Sequence, residues 1–301
     1  MKQTLLLIGC GDIALRSAPL LRTHYRLIGL CRHLENAPRL RQHGITPIFG
    51  DLDSPKTLNK LAGIAHAVLH LAPPPNHGKR DIRTTNLLAS LTKRPATNRI
   101  ILPQRFIYIS TSGVYGDCNG ALTDETCPIK PRIDRSIRRA DAEKQVRNWG
   151  LRNYVSVSIL RVPGIYAPER LPLKRLHEGA PTLLPEDDCY TNSIHADDLV
   201  HIIFAALRYA KPGRIYNACD DSNLKMGEYF DLIANFFDIP RPPRIARVNA
   251  YKHISNSMLS FMEESRQLTN IRIKNELHIN LRYPTVAKGI SADKAAKPES
   301  R

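Results

Sequence analysis

The 301-residue sequence predicts an α/β fold in which a doubly wound parallel sheet precedes a smaller, irregular C-terminal lobe. Short apolar runs alternate with longer amphipathic stretches through the first half, which is typical of βαβ units. The runs are apolar at consecutive positions, as expected for strands covered on both faces of a parallel sheet. A composition that is 42% hydrophobic and 24% charged can supply the core that such a sheet needs.

Six strands and five connecting helices are predicted before residue 161. The strands fall at 4–8, 26–31, 46–49, 67–71, 105–110 and 156–160, and the helices at 13–23, 34–43, 54–62, 81–93 and 136–149. This order predicts a Rossmann fold. Beyond this point the pattern is less regular, with proline-rich loops at 162–172 and 239–243 and helices at 196–209 and 226–237.

The change in pattern sets the predicted domain boundaries. Residues 1–165 are assigned to the sheet domain, and residues 192–220 are expected to return to it. Residues 166–191 and 221–290 are assigned to the second lobe. The last residues, 291–301, are small and charged without periodicity, so we expect a disordered tail there.

The charge balance is the outlier of the composition, with 44 basic against 28 acidic residues and a net charge of +16. Nucleic acid and acidic membrane surfaces are the partners that such a charge suggests. Aromatic residues make up only 6% of the chain, and no base-stacking signature or lysine-rich arm accompanies the charge. Nucleic acid is therefore an unlikely partner, and anionic small molecules are favoured.

Cysteine spacing and hydropathy exclude several other classes of protein. The six cysteines are widely scattered, with no CxxC pair and no Cys/His cluster at zinc spacing. No stretch approaches the roughly 18 apolar residues of a membrane span. We therefore expect a reduced, cytoplasmic chain with no metal site and no membrane association.

A glycine-rich turn directly follows the first predicted strand. Residues 9–14 read Gly-Cys-Gly-Asp-Ile-Ala, a GxGxxA variant of the dinucleotide-binding turn. Gly9 permits the tight turn, Gly11 lets the backbone approach a pyrophosphate, and the small Ala14 allows the helix to pack on the strand. Asp12 and Ile13 lie at the N-terminus of the helix predicted at 13–23, which offers N–H groups to the phosphates.

The residue after the second strand discriminates between two nicotinamide cofactors. An NAD site normally has an acidic residue there, which binds the ribose 2′-hydroxyl. This sequence has Arg32 instead, which is suited to pair with a 2′-phosphate. NADP is therefore predicted as the cofactor, with NAD as the alternative.

Further motifs carry a resemblance that covers nearly the whole chain. In order they are GDL at 50–52, VLHLA at 68–72, YISTSGVYG at 108–116, DET at 124–126, LRVPGIY at 160–166, IHADDL at 194–199, IYNA at 215–218, NEL at 275–277 and RYP at 282–284. With the glycine turn, they resemble an extended short-chain dehydrogenase/reductase of the NAD-dependent epimerase/dehydratase group.

This resemblance implies roles for individual residues. Asp51 and Leu52 correspond to the segment that contacts the adenine in the family. Leu71 and Ala72 correspond to the end of the fourth strand, which borders the cofactor. Thr111 corresponds to the catalytic hydroxyl, which would polarise a substrate carbonyl.

The family's Tyr-x-x-x-Lys pair is missing from this sequence. Its two positions fall on Arg135 and Arg139, and a guanidinium cannot exchange a proton near neutral pH. Arg139 would keep the lysine's ribose contact, and Arg135 would clamp a carboxylate or phosphate. The alternative is that residues 132–139 form a solvated, arginine-rich face. The same departure resembles the atypical YeeZ-like members of the family.

Other acid/base candidates are expected to be structural. Tyr115 lies in the turn after Thr111, Tyr166 opens the second lobe, and His195 has a suitable pKa range. His195 is predicted to be a packing or hydrogen-bonding residue. Asp197 and Asp198 are predicted to cap the helix that follows.

Two function classes remain. The first is an NAD(P)-dependent oxidoreductase or epimerase-like enzyme acting on a polar, anionic small molecule held by the second lobe. The second is a non-catalytic NADP(H)-binding redox sensor or regulatory protein. The sequence does not specify the substrate, and the oligomeric state is open, with a homodimer among the alternatives.

Overall fold

Seven parallel strands form the central sheet in a computed structural model, which describes residues 2–93 and 101–295. The strands are β1 (Gln3–Ile8), β2 (Tyr25–Cys31), β3 (Ile45–Phe49), β4 (Ala67–His70), β5 (Arg105–Thr111), β6 (Ser156–Val162) and β7 (Ile215–Asn217). Their order across the sheet is β7-β6-β5-β4-β1-β2-β3. This confirms the predicted doubly wound α/β fold.

The two faces of the sheet are buried in separate hydrophobic cores. Along β1, Leu5 and Leu7 belong to one core and Leu6 and Ile8 to the other, because successive side chains of a strand point to opposite faces. All four are fully buried. The strands are apolar at consecutive positions because both faces of the sheet are buried.

Helices cover both faces and build the second lobe. They are α1 (Asp12–Leu21), α2 (Ala37–Gln42), α3 (Ile82–Leu91), α4 (Asp134–Asn153), α5 (Leu173–His177), α6 (Ala196–Tyr209), α7 (Met226–Phe236), α8 (Arg247–Ala250), α9 (Asn256–Met262), α10 (Ile271–Leu277) and α11 (Val286–Ala295). Helices α1 and α6 pack on one face of the sheet, and α3 and α4 on the other.

Two predicted helices have a different form in the structure. Residues 34–43 divide into a 3₁₀ helix at Leu34–Asn36 and the short α2. Residues 54–62 form a 3₁₀ helix at Pro55–Leu61. Its two buried leucines, Leu58 and Leu61, are three residues apart, and the threefold period of a 3₁₀ helix places them on one side.

The second lobe has a core of its own, with Leu176, Leu183, Phe230 and Ile233 among its buried residues. Four two-stranded ladders accompany it: Leu122–Thr123 with Gln267–Leu268, Gly164–Tyr166 with Ser193–His195, Thr182–Leu183 with Arg244–Ile245, and Tyr190–Thr191 with Leu224–Lys225. No helix in the described part of the chain is long and apolar enough to span a bilayer.

The structure corrects the predicted boundaries in two places. Ile273 and Leu277 of α10, assigned to the second lobe from sequence, pack instead in the core shared by the sheet and α6. Residues 291–295, the start of the predicted tail, form the end of α11, which adds Val286 and Ile290 to the core of the second lobe. The rest of that predicted tail, 296–301, lies outside the described residues.

Candidate functional site

Two adjoining cavities lie at the carboxyl edge of the sheet. The smaller, of about 380 Å³, is lined by the glycine turn and by the ends of β5 and β6. The larger, of about 520 Å³, extends from the glycine turn past the ends of β2 and β3. Both are lined by Gly9 and Pro73. They meet where β1 and β4 are neighbours, the point where the strand order reverses and open α/β sheets bind ligands.

The glycine turn is shaped by close contact with the end of β4. Gly9 has a φ of +93°, and a Cβ atom on it would overlap the backbone nitrogen of Ala72. The amides of Leu71 and Ala72 both donate to the Ile8 carbonyl, at 2.7 and 2.9 Å. A Cβ on Gly11 would meet no atom within 4 Å. The backbone at Gly11 is therefore open to close approach by a ligand.

Helix α1 begins beside this opening. Gly11 is its N-cap and provides no side-chain hydrogen bond, and Asp12 and Ile13 form the start of the first turn. First-turn N–H groups lack partners within the helix, and the helix dipole is positive at this end. This end of α1 can therefore bind an anion, although Asp12 places a carboxylate next to it.

Three arginines, from the end of β2 and from helices α2 and α3, line the larger cavity. Arg32 is exposed there, and its Nε donates to Nε2 of His33 at 2.7 Å. Arg39 of α2 also lines this cavity, although the sequence analysis did not select it. Arg83 completes the set and pairs with Asp53 at 2.7 Å. Arg39 could have been predicted from its position, because it lies on α2, which follows β2 and Arg32 in the sequence.

Asp51 and Leu52, to which the family resemblance assigns a contact with the adenine, line the same cavity. The amide of Asp51 donates to Oγ1 of Thr57 at 2.8 Å, and its carboxylate accepts from the amide of Asp53 at 3.0 Å. The carbonyl of Leu52 accepts from the side-chain amide of Asn86 at 2.7 Å. These bonds fix the loop after β3 as one wall of the cavity.

Thr111 ends β5 at the smaller cavity. Its Oγ1 accepts from the amide of Gly113 at 3.3 Å, so its own hydrogen can be directed into the cavity. The hydroxyl of Ser110 donates to Glu143 of α4 at 2.6 Å. Ser112 is buried. Thr111 is therefore the hydroxyl of the three that is best placed to contact a ligand.

Tyr115 has a structural role. Its hydroxyl donates to Oδ1 of Asn217 at 2.8 Å, and the guanidinium of Arg161 lies over its ring at 4.5 Å. Arg161 pairs in turn with Glu143 at 2.7 Å, and both side chains are buried. Burial raises the pKa of Tyr115 to about 12. Tyr115 is thus poorly suited to exchange protons near neutral pH.

The two arginines at the tyrosine and lysine positions have different surroundings. Arg139 lines the smaller cavity, and its Nη1 donates to the Ile109 carbonyl at 2.9 Å. Arg135, one turn earlier on α4, stacks on the ring of Phe261 at 3.5 Å and is not among the described residues that line either cavity. Between them, Arg138 is buried and donates to the Gly78 carbonyl at 2.7 Å. The stretch is therefore not a uniformly solvated face.

His195 is buried and structural, as predicted. Its Nδ1 accepts from the amide of Asp197 at 3.1 Å, so His195 itself caps α6. Its ring packs against Tyr166 and Tyr283, with centroids 5.1 and 3.9 Å away. The predicted cap at Asp197 and Asp198 is wrong, because the carboxylate of Asp198 instead accepts the amides of residues 282 and 283.

Within residues 2–93 and 101–295, no three His, Cys, Asp or Glu side chains are grouped so that they could hold a metal ion. All six cysteines are free thiols. Among the described residues, those that line the two cavities at the sheet edge carry hydroxyl, carboxylate and guanidinium groups, including those of Thr111, Asp51 and Arg139.

Sequence comparison identifies the family. The sequence model of the NAD dependent epimerase/dehydratase family matches residues 17–219, more than half of the chain. The chain belongs to this family. The resemblance to extended short-chain dehydrogenases/reductases is thereby confirmed. The matched range begins after the glycine turn, so the geometry of that turn is independent support for membership of the family.

Two curated relatives match part of the chain. Protein YeeZ of Escherichia coli K12 is 29% identical over 182 residues, which cover 60% of this chain and 59% of YeeZ. The dTDP-D-glucose 4,6-dehydratase of Homo sapiens is 30% identical over 122 residues, 38% of this chain and 35% of that enzyme. The matched part of the chain thus spans less than two thirds of either relative.

Solved structures extend the similarity to the whole fold. A functionally unknown conserved protein from Silicibacter pomeroyi has a TM-score of 0.81 and 27% identity, covering 98% of this chain and 99% of its own. A UDP-glucuronic acid 4-epimerase from Bacillus cereus, solved in complex with NAD, has a TM-score of 0.75 and 17% identity, covering 97% of each chain. At that identity, the epimerase shows the fold alone.

Proposed function

We propose that this protein is an NADP(H)-binding oxidoreductase or epimerase-like enzyme that acts on a polar, anionic small molecule. The observation that carries the proposal is the pair of adjoining cavities that share Gly9. Together they run from Arg32 at the end of β2 to Thr111 at the end of β5. This path would place the adenosine half of a dinucleotide in the larger cavity and its nicotinamide half in the smaller one.

The residues of the path fit the parts of such a cofactor. The open space at Gly11 and the start of α1 suit the pyrophosphate. Asp51 and Leu52 line the adenosine half, and Leu71 lines the nicotinamide half. Arg139 presents further N–H donors to a ribose hydroxyl while one nitrogen holds the Ile109 carbonyl.

Arg32 and Arg39 support NADP over NAD. Both line the adenosine half, where the additional phosphate of NADP would lie, and guanidinium groups bind phosphates in a bidentate geometry. An Arg32→Ala variant should lose about tenfold in affinity for NADPH and little for NADH, as measured by titration of each cofactor. Arg41→Ala is the matched control, since Arg41 is exposed on α2 and absent from the described lining of this cavity.

An NADH preference that survives Arg32→Ala would contradict the assignment of NADP. NAD would then be the cofactor, in agreement with the family's name.

The chemistry assigned to the chain's own residues is limited. The bound cofactor would supply hydride transfer. Thr111 would donate a hydrogen bond to the reacting oxygen. Arg135 stacks on Phe261 and is not among the described residues that line either cavity, so it would bind a carboxylate or phosphate on a part of the substrate that extends beyond the smaller cavity. No residue is assigned as the proton donor.

A second candidate function is a non-catalytic NADP(H)-binding sensor. One observation favours it: the described residues that line the smaller cavity include no Tyr, His, Lys or Cys. Purified protein incubated with NADPH and a panel of small carbonyl and sugar-nucleotide substrates separates the two. Oxidation of NADPH with any substrate supports the enzyme, whereas tight binding without oxidation supports the sensor.

A homodimer and a cytoplasmic location remain predictions.

A further inference from the structure

Arg170 connects the segment after β6 with the glycine turn. It ends a 3₁₀ helix at Pro168–Arg170, and its amide donates to the Ala167 carbonyl at 2.9 Å. The Arg170 side chain lines the smaller cavity together with Gly9 and Gly11. Arg170 belongs to none of the motifs that predict a function from sequence.

The partner of Arg170 is the carboxylate beside the N-terminus of α1. Nη1 of Arg170 lies 2.9 Å from Oδ2 of Asp12. The same carboxylate accepts from Nε of Arg16 at 2.9 and 3.1 Å. A carboxylate at this position would repel the diphosphate of a dinucleotide, because both are anionic and only a few ångströms would separate them. The two arginines offset that charge.

We propose that Arg170 binds the diphosphate of the cofactor while it remains paired with Asp12. This inference rests on the proposed function. A guanidinium carries five N–H groups, and the bond to Asp12 uses one nitrogen, so other N–H groups can bond to phosphate oxygens. Bound in this way, Arg170 holds the segment Pro168–Arg170 over the glycine turn.

The surrounding charges explain why the diphosphate would stabilise this arrangement. Arg16 also pairs with Glu169 and approaches Asp197 of α6 at 3.6 Å, so one group of charges joins α1, the Pro168–Arg170 segment and α6. Its members are partly exposed, and exposed ion pairs contribute little on their own. A bound diphosphate adds negative charge between Arg170 and the N–H groups of α1, where both attract it.

The test is a set of titrations with probes that differ in the diphosphate. NADPH and ADP-ribose contain it, and adenosine 2′-monophosphate does not. Arg170→Ala should raise Kd about tenfold for NADPH and ADP-ribose and leave the Kd of adenosine 2′-monophosphate within about twofold. Arg170→Lys keeps the charge but loses the bidentate geometry of the guanidinium, so its Kd values for NADPH and ADP-ribose should lie between those of the unmodified chain and Arg170→Ala. Lys174→Ala is the matched control, since Lys174 lies on the neighbouring α5 with its side chain 90% exposed.

The outcomes separate this inference from the proposed function. If the unmodified chain binds no dinucleotide, the proposed function fails, and this inference fails with it. If that chain binds NADPH and Arg170→Ala binds it equally well, only the inference is overturned. Equal losses of affinity for ADP-ribose and adenosine 2′-monophosphate would overturn it as well, because the effect would then not involve the diphosphate.

Discussion

Three consecutive hydroxyl residues at the end of β5 have different environments. Ser110 donates to the buried Glu143, and Ser112 is enclosed in the turn that follows. Thr111 is half-buried at the cavity, and its oxygen accepts the amide hydrogen of Gly113. A hydroxyl that already accepts such a bond is oriented to donate its own hydrogen. Thr111 is therefore the residue on which hydrogen bonding to a substrate oxygen would depend.

Replacing Thr111 tests this role. Thr111→Ala should lower kcat for NADPH-dependent turnover about 100-fold, the order of magnitude lost when one preorganised donor to a developing oxyanion is removed. The Kd for NADPH should stay unchanged. Thr111→Ser is the matched control and should keep most of the activity, because it keeps the hydroxyl. Steady-state rates together with cofactor titration measure both effects, and unchanged turnover in Thr111→Ala would contradict the assignment.

Arg135 and Arg139 have different surroundings, which the sequence alone did not predict. Their spacing correctly places them one turn apart on α4, and Arg139 reaches the cavity. Residues four apart on a helix still differ in direction by about 40°. Arg135 contacts Phe261 of the second lobe instead, and the two residues are far apart in the sequence.

At the level of elements, local patterns predicted most of the sheet. Strands β1 to β6 are marked in the sequence by apolar runs, and the turn after β1 is marked by its glycines. The three residues of β7 and the seven of α10 are too short for a reliable period, and long-range packing on β6 and α6 defines them. For the same reason, Arg39 and Arg170 were missed, because only the folded chain brings them to the cavities.

The contact between the glycine turn and β4 can be tested with Gly9→Ala. The new Cβ would overlap the backbone of Ala72 at a φ of +93°, so the turn would have to shift. We expect a loss of about 2–4 kcal/mol in the free energy of unfolding. Weaker binding of NADPH should accompany it. Urea denaturation and cofactor titration measure the two effects.

Gly179→Ala is the control for backbone strain alone. Gly179 has a φ of +62°, but a Cβ there would meet nothing within 4 Å. Gly179→Ala should lower the free energy of unfolding by about 1 kcal/mol and leave cofactor binding unchanged. If both variants lost the same stability, the overlap with Ala72 would have no effect of its own.

At the scale of the whole molecule, the segment after β7 joins the sheet to the second lobe. The amide of Asp220 donates to the Ser193 carbonyl at 2.8 Å, and the amide of Asp221 donates to the Pro284 carbonyl at 2.7 Å. The hydroxyl of Ser222 accepts from the amide of Val286 at the start of α11. Asp220 is itself buried at this junction, and burial raises its pKa to about 7.

Two buried groups give the stability of the fold opposite responses to pH. The folded chain holds the proton of Asp220 up to about pH 7, whereas the unfolded chain releases it near pH 4, so the contribution of Asp220 is lost as pH rises between these values. His70 behaves in the opposite sense, because burial lowers its pKa to about 3. Its contribution is lost as pH falls from about 6.5 to 3.

Asp220→Asn separates the two contributions. The substitution removes the carboxylate that is buried without its proton above pH 7, while the side-chain oxygen can still accept the amide of Ser222. The variant should therefore gain stability relative to the unmodified chain at pH 8, by about 1–3 kcal/mol, and show a smaller difference at pH 5. Urea midpoints at the two pH values measure it, with the exposed Glu186→Gln as the control for a lost surface charge. An equal gain at both values would mean that the ionisation of Asp220 does not oppose folding, and that the gain comes from the amide itself. No gain at pH 8 would mean that the junction tolerates the charge as well as the amide.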